Sequence, residues 1–305
     1  MTNSISRRAF VQTSGLALTG MALSEHMATA AEPVVVDSHL HCFAGRGDAR
    51  FPYHPRGPYQ PAEPATPEML LKLMDAAGVH YSVVVHPEPY QDDHRYLDYC
   101  LSVGKDRVKA TCLVFSDQPA SMKLLPGLAK NKAVRAVRVH AYAPDRQPPF
   151  GKPELRALWK QASDLGLMVQ IHLEPRYAPG FTPYIKEFSQ TKVIIDHLGR
   201  PFQGTPEEHA VVMEWAKMPN TVMKLAALPQ QSEYPHRDIS PIVRRLCDAW
   251  GPDRMIYGGG FGPTATGASY RAARERIRSY LSHLNTAEQN KILGLTAARL
   301  YGFPV

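Results

Sequence analysis

The chain has 305 residues, of which 44% are hydrophobic and 21% charged, and a formal net charge of +7 at pH 7. Such a balance suits one packed globular domain and excludes a disordered or low-complexity polymer. The positive excess is scattered, with no Lys/Arg block interleaved with aromatics, which argues against a nucleic-acid partner and favours a small anionic one.

Taken in chain order, the first segment reads as an address. Arg7 and Arg8 precede an apolar stretch, Gly15 to Leu23, and Ala28-Thr29-Ala30 offers the small residues a signal peptidase cuts. Residues 1–30 are therefore expected to be a twin-arginine signal peptide. Residues 31–305 would then be the mature, periplasmic domain. The leader's apolar stretch is too short to span a bilayer, and no later segment is long enough, so no membrane is expected as a partner of the mature form. A homo-oligomer is compatible with this reading. Cys42, Cys100, Cys112 and Cys247 are scattered and form no CxxC pair, so their spacing suggests no particular disulfide.

Beyond the leader, short β-rich runs alternate with amphipathic stretches. Strands are predicted at Val34–His39, Tyr81–His86, Val108–Phe115, Val134–Ala141, Leu167–Leu173, Lys192–Leu198, Val222–Leu228 and Arg254–Gly258. Helices are predicted at Pro67–Ala77, Arg95–Val103, Ala120–Ala129, Pro153–Leu165, Pro183–Gln190, Pro206–Lys217, Ile239–Trp250 and Tyr270–His283. The tail Asn285–Phe303 should be helical and close one end. Eight such units point to an α/β fold, the (β/α)8 TIM barrel, and a length near ~250 residues agrees. The Pro- and aromatic-rich segment from Phe43 to Pro67 is expected as an ordered first loop over the barrel mouth.

His39 and His41 are two apart at the end of the first predicted strand, so both imidazoles can face one side. His172 ends the fifth strand and His197 the sixth. Barrel enzymes keep their chemistry at these carboxyl ends, so the four are expected in one shared site as catalytic residues and as ligands of a divalent metal, zinc first. His86 and His140, also near strand ends, are candidates for a supporting or substrate-facing place. His54, His80, His94, His209, His236 and His283 are expected in loops or helices and mostly solvated.

Asp37-Ser38-His39-Leu40-His41, His172, Asp196-His197-Leu198-Gly199-Arg200-Pro201 and the ending Ala297-Ala298-Arg299-Leu300-Tyr301-Gly302 carry a resemblance over nearly the whole mature chain. They resemble the amidohydrolase superfamily, in the branch called amidohydrolase 2. Phe51-Pro52-Tyr53, Tyr59-Gln60-Pro61-Ala62, Val83-Val84-Val85-His86-Pro87 and Tyr90-Gln91-Asp92-Asp93-His94-Arg95 are most similar to the group of 2-pyrone-4,6-dicarboxylate lactonases, sulfomuconolactone hydrolases and sugar lactonases. In that group His94 usually reads Asn. The resemblance implies hydrolysis of a small carboxylated lactone, either with one divalent metal or without a metal, the histidines then polarising the carbonyl. It also implies a substrate-contacting Tyr at Tyr53.

One residue departs from the pattern. The family's eighth strand runs into Gly-Ser-Asp, the Asp being the proton carrier; here Gly258-Gly259-Gly260 stands instead, with Gly260 at the Asp position. Losing a positioned base costs about 10²–10⁴ in rate. Glu174, His140, Asp196 and Glu88 are candidate replacements. A changed reaction (isomerase or lyase) and a non-catalytic ligand-binding barrel are the alternatives. Arg138, Arg176 and Arg200 follow or lie within strands and suit substrate carboxylates. Arg138 is the strongest candidate, because an Arg in an apolar strand requires an anion.

Overall fold

The structure, a computed structural model, describes residues 33–228 and 238–305. The expected signal peptide and His236 lie outside the described residues.

Eight strands alternate with helices: β1 Val36–Leu40, α1 Pro67–Ala77, β2 Tyr81–Val85, α2 Arg95–Gly104, β3 Val108–Leu113, α3 Pro119–Met122, α4 Leu125–Lys130, β4 Val134–Ala141, α5 Pro153–Asp164, β5 Met168–Leu173, α6 Ala178–Glu187, β6 Val193–Ile195, α7 Pro206–Glu214, β7 Thr221–Leu225, α8 Ser240–Trp250, β8 Met255–Tyr257 and α9 Gly267–Tyr280. The strands form one parallel sheet in sequential order from β1 to β8, a nearly closed (β/α)8 barrel. Side chains span the remaining seam. Ser38 Oγ donates to Tyr257 O at 2.5 Å, and Gly259 N–H donates to Asp37 Oδ1 at 2.7 Å.

Helix ends follow local chemistry. Thr66 caps α1 ahead of Pro67, and Thr205 with Glu208 makes a capping box at α7. Two predicted helices differ. The segment 120–129 divides because Pro126 opens a second helix within it. The helix expected from Pro183 already begins at Ala178, with Pro183 inside it.

Strand alternation sorts side chains into an outer face, packed on the helices, and an inner one. The innermost positions at the amino end are Val36, Val83, Ala136, Met168, Ile194, Val222 and Ile256. The tail plugs that end. Helix α10 (Thr286–Asn290), a π-helical turn (Lys291–Leu295) and α11 (Thr296–Tyr301) bring Ala297, Ala298, Tyr301 and Phe303 into the same apolar cluster. The π turn sits hard against the start of the barrel: a Cβ added to Gly294 would lie 1.6 Å from Val34 O.

The first strand carries a bulge. Asp37 pairs with Ser82 but Leu40 with Val84, so β1 advances three residues while β2 advances two. The extra residue reverses the pleat. Val36 faces inward, as do His39 and His41, while Leu40 joins the outer core.

Among the described residues no helix is long and apolar enough to cross a membrane. Gly294→Ala is expected to lose more than about 3 kcal/mol of stability, because backbone rather than a movable side chain must yield; chemical denaturation measures it, and a loss under about 1 kcal/mol would contradict the described tail docking.

Candidate active site

Two residues beyond the apolar inner layer, β4, β5, β6 and β7 present Arg138, Gln170, Asp196 and Lys224. All four are buried, Gln170, Asp196 and Lys224 completely. Arg138 donates from Nε and Nη2 to Asp196 Oδ2 at 3.0 and 2.8 Å. Gln170 Nε2 donates to both carboxylate oxygens at 3.0 and 2.9 Å, and Thr111 on β3 donates to Gln170 Oε1 at 2.9 Å. Lys224 Nζ lies 3.2 Å from Asp196 Oδ1 and 3.4 Å from His39 Nδ1, which is itself 3.5 Å from that oxygen. Burial opposes ionisation of Asp196, yet Lys224 and Arg138 outweigh it and hold the carboxyl well below the usual range.

Above this ionic layer stand the imidazoles. Ring centroids run from His41 to His39 at 5.2 Å, on to His197 at 4.6 Å, His172 at 5.1 Å and His140 at 5.2 Å. His39, His41, His172 and His197 line one cavity of about 770 Å³, together with Tyr59, Arg200 and the glycine run. The four histidines expected together are therefore together, and His140 continues their arc. His197 and Leu198 have φ of +56° and +59°, the backbone turning sharply off β6 to aim the His197 ring.

Hydrogen-bond accounting fixes most tautomers. His41 Nδ1 faces Val85 O at 2.7 Å and His197 Nδ1 faces Ala226 O at 3.3 Å. A carbonyl only accepts, so each Nδ1 carries the proton and each Nε2 keeps its lone pair. Arg200 only donates, so His172 Nε2, 3.1 Å from Arg200 Nη1, accepts. His172 then donates Nδ1–H to His140 Nδ1 at 3.1 Å. Desolvation keeps these rings neutral: burial pulls His41 down to about 4 and His197 to about 3, and it pulls His39, His140 and His172 well below the ordinary value.

Several expected roles change. The anion that Arg138 requires is Asp196, within the chain. Arg176 is exposed, paired with Glu174 and away from the cavity wall. Tyr53 donates to Pro61 O at 3.0 Å and packs on Tyr90. Within the same loop Tyr59 reaches the cavity instead, and the loop is pinned by paired hydrogen bonds between Phe43 and Ala65. His86, His94 and His209 are buried and serve backbone. His86 Nε2 donates to Gln91 O and His209 Nε2 to Leu198 O, while His94 Nε2 accepts from Leu113 N–H. Glu88 holds Tyr142 and Arg146, and Tyr142 stacks on His172. Lys224 escaped the sequence reading, although the argument applied to Arg138, a cation inside an apolar strand, applies to it equally.

Gly260 lies beside Tyr270 with φ +120°; a Cβ there would come 2.6 Å from the Tyr270 ring and 3.0 Å from Ala273 Cβ. The Tyr270 hydroxyl donates to Asp37 Oδ2 at 2.6 Å. The space of a side chain at 260 belongs to that tyrosine.

For a metal, the described residues offer one group whose ligand atoms all lie within 4.8 Å of one another: His39, Asp196 and His197. Two imidazoles and a carboxylate are donors that zinc takes, so the set fits. Lys224 is a rival cation at its edge. His172 has both nitrogens engaged, and His41 stands outside that group.

The family model described as Amidohydrolase matches residues 36–303. An L-fucono-1,5-lactonase of Burkholderia ambifaria is 30% identical over 210 residues, 63% of this chain and 68% of its own. Among solved structures, a probable 2-pyrone-4,6-dicarboxylic acid hydrolase of Acinetobacter baumannii, with citric acid bound, superposes with a TM-score of 0.70 at 19% identity, covering 88% of this chain and 99% of that one. An amidohydrolase of Burkholderia multivorans with bound zinc gives 0.70 at 20% identity, covering 89% and 100%.

Two outcomes follow. Asp196→Asn, which leaves two buried cations unanswered, should cost about 3–5 kcal/mol in urea unfolding, and Lys224→Met less, since Arg138 and Gln170 still satisfy the carboxylate; the reverse order would refute the described network. Below the ordinary histidine pKa of 6.5 the unfolded chain binds protons that His41 and His197 refuse when folded. Stability should therefore fall as pH drops from about 6.5 to 4 and be insensitive to these groups above about 7; calorimetric Tm values that stay level between pH 4.5 and 7 would count against neutral buried rings.

Proposed function

The chain belongs to the amidohydrolase family, and on that premise we propose that it is a hydrolase opening a small anionic lactone by attack of water on the carbonyl. The observation that carries the reading is the imidazole arc over a buried ionic layer, lining a cavity at the carboxyl ends of the strands. The lactonase relative supports a lactone as the substrate.

In this reading His41 is the base. Its Nδ1–H is fixed on Val85 O, which aims the Nε2 lone pair and leaves it free to take a proton from water. The water oxygen bonds to the lactone carbon as Nε2 takes the proton. The ring C–O bond then breaks, and the same nitrogen returns the proton to the departing oxygen, giving the open hydroxy acid. Negative charge developing on the carbonyl oxygen is met by the cationic floor of Lys224 and Arg138 behind His39. Arg200, held at His172, faces the substrate carboxylate. His39, Asp196 and His197 would hold a divalent ion, which when bound would polarise the carbonyl. We also propose twin-arginine export to the periplasm, on the strength of Arg7, Arg8 and the cleavage-site residues.

A panel of five- and six-membered lactones tests the reading. The wild type should hydrolyse at least one carboxylated member, and His41→Ala or His197→Ala should lower kcat/KM by about 10²–10⁴. Gly260→Asp should not raise turnover, because Tyr270 fills that space. Lactones that bind by calorimetry but are never opened would replace the enzyme with a binding barrel. Elemental analysis of the purified protein reads zinc content directly.

A further inference from the structure

Asp196 is held between two buried cations, one at each carboxylate oxygen. Arg138 donates twice to Oδ2, and Lys224 stands at Oδ1. Lys224 Nζ lies 3.2 Å from Asp196 Oδ1 and 3.4 Å from His39 Nδ1, and those two atoms are 3.5 Å apart, so the three make a nearly equilateral triangle. Two of its corners belong to residues of the group that could hold a metal. The third carries a charge of the metal's own sign.

Zinc bonds of about 2.0–2.2 Å place tetrahedral ligands roughly 3.4 Å from one another. The spacing of Asp196 Oδ1 and His39 Nδ1 is therefore that of two ligands of one ion. An ion bonded to both would sit no more than about 4 Å from Lys224 Nζ. Like charges repel strongly at that range inside a protein, and a divalent ion doubles the effect. The ammonium has no route of retreat, because the Lys224 side chain is completely buried. Nor is there an idle anion to offset the added charge. Asp37, the other carboxylate that acts on Lys224, accepts from the Tyr270 hydroxyl and from the amides of His39 and Gly259. Asp196 Oδ1 already accepts from Gln170 and Lys224, so a metal takes that oxygen only by displacing one of them.

We propose that Lys224 is a built-in competitor of the divalent ion at His39, Asp196 and His197. It sets how tightly that ion is held: weakly and exchangeably in the native chain, tightly once the ammonium is gone. The inference rests on the proposed ligand set for a metal and on neither the lactone nor its hydrolysis. Lys224 thereby keeps one permanent positive charge behind His39 and opposes the arrival of a second, exchangeable one.

Zinc titration against a chromophoric chelator tests this, with the zinc content of each purified protein read by elemental analysis. Lys224→Met should bind one zinc per chain at least about 100-fold more tightly than wild type. Adding His197→Ala to that variant should abolish the gain. Arg146→Gln removes a cavity cation that Glu88 already answers, outside the triangle, and should change zinc affinity by less than about threefold. Equal affinity in Lys224→Met and wild type overturns the proposal. So does an equal gain in Arg146→Gln, which would trace the effect to the general field rather than to the place of Lys224. Weaker binding in Lys224→Met also overturns it, since Lys224 would then be a neutral amine ligand. If Lys224→Met does not fold, Lys224→Gln carries the same expectation, and the wild type alone stays decisive. Its zinc dissociation constant should be about micromolar or weaker, and a value of about 10 nM or tighter overturns the proposal. If neither wild type nor variant binds zinc, the ligand set falls together with this proposal, while lactone hydrolysis is judged separately by the lactone panel.

Discussion

A single carboxylate organises the interior. Asp196 is fully buried and takes hydrogen bonds or ionic contacts from Arg138, Gln170, Lys224 and His39, which come from β4, β5, β7 and β1. A buried ion is tolerable only when its partners are complete. The position of each strand around the barrel is thus constrained by one shared anion. The consequence for chemistry is layered. Apolar side chains and the tail seal one end, charges fill the middle, and neutral imidazoles cap the other. Burial first, and then the two cations beneath the rings, disfavour protonating them, so lone pairs rather than positive charges face the cavity.

Much of this was legible in the residues. Short β-rich runs alternating with Pro-led helical stretches yielded the barrel, and β4 and α1 have the bounds read from sequence. The histidines of strands one, five and six were legible because a strand end is a defined place in a barrel. The spacing of His39 and His41 hid something, however. Both reach the interior only because the bulge shifts the pleat, and an extra residue leaves no mark in a hydrophobic pattern. Tyr53 came from the resemblance and Arg176 from its place after a strand, and neither cue says where a loop side chain points. Arg138 was recognised as needing an anion, but the nearest anion in sequence terms could not be told from a ligand's. Pairing across strands far apart in the chain is information that only folding supplies.

The departure at Gly260 also looks different once packed. Asp37 holds the Gly259 amide, the His39 amide and the Tyr270 hydroxyl, and burial raises its carboxyl above the usual range against those bonds. Tyr270 lies across the place a side chain at 260 would need. The glycine makes room for an aromatic ring and its bond to the first strand at the cavity edge. In the proposed mechanism proton handling falls to the imidazoles, whose fixed tautomers suit them to it.

The docking of Gly294 on Val34 has a consequence for biogenesis. The ribosome releases β1 ahead of every other strand, yet its seam partner β8 and the plug beneath it follow only after the rest of the barrel. Until they emerge, the sheet has two raw edges and an open apolar base. Closure of this domain accordingly waits for the segment that carries Gly294, whatever the strands before it have already formed.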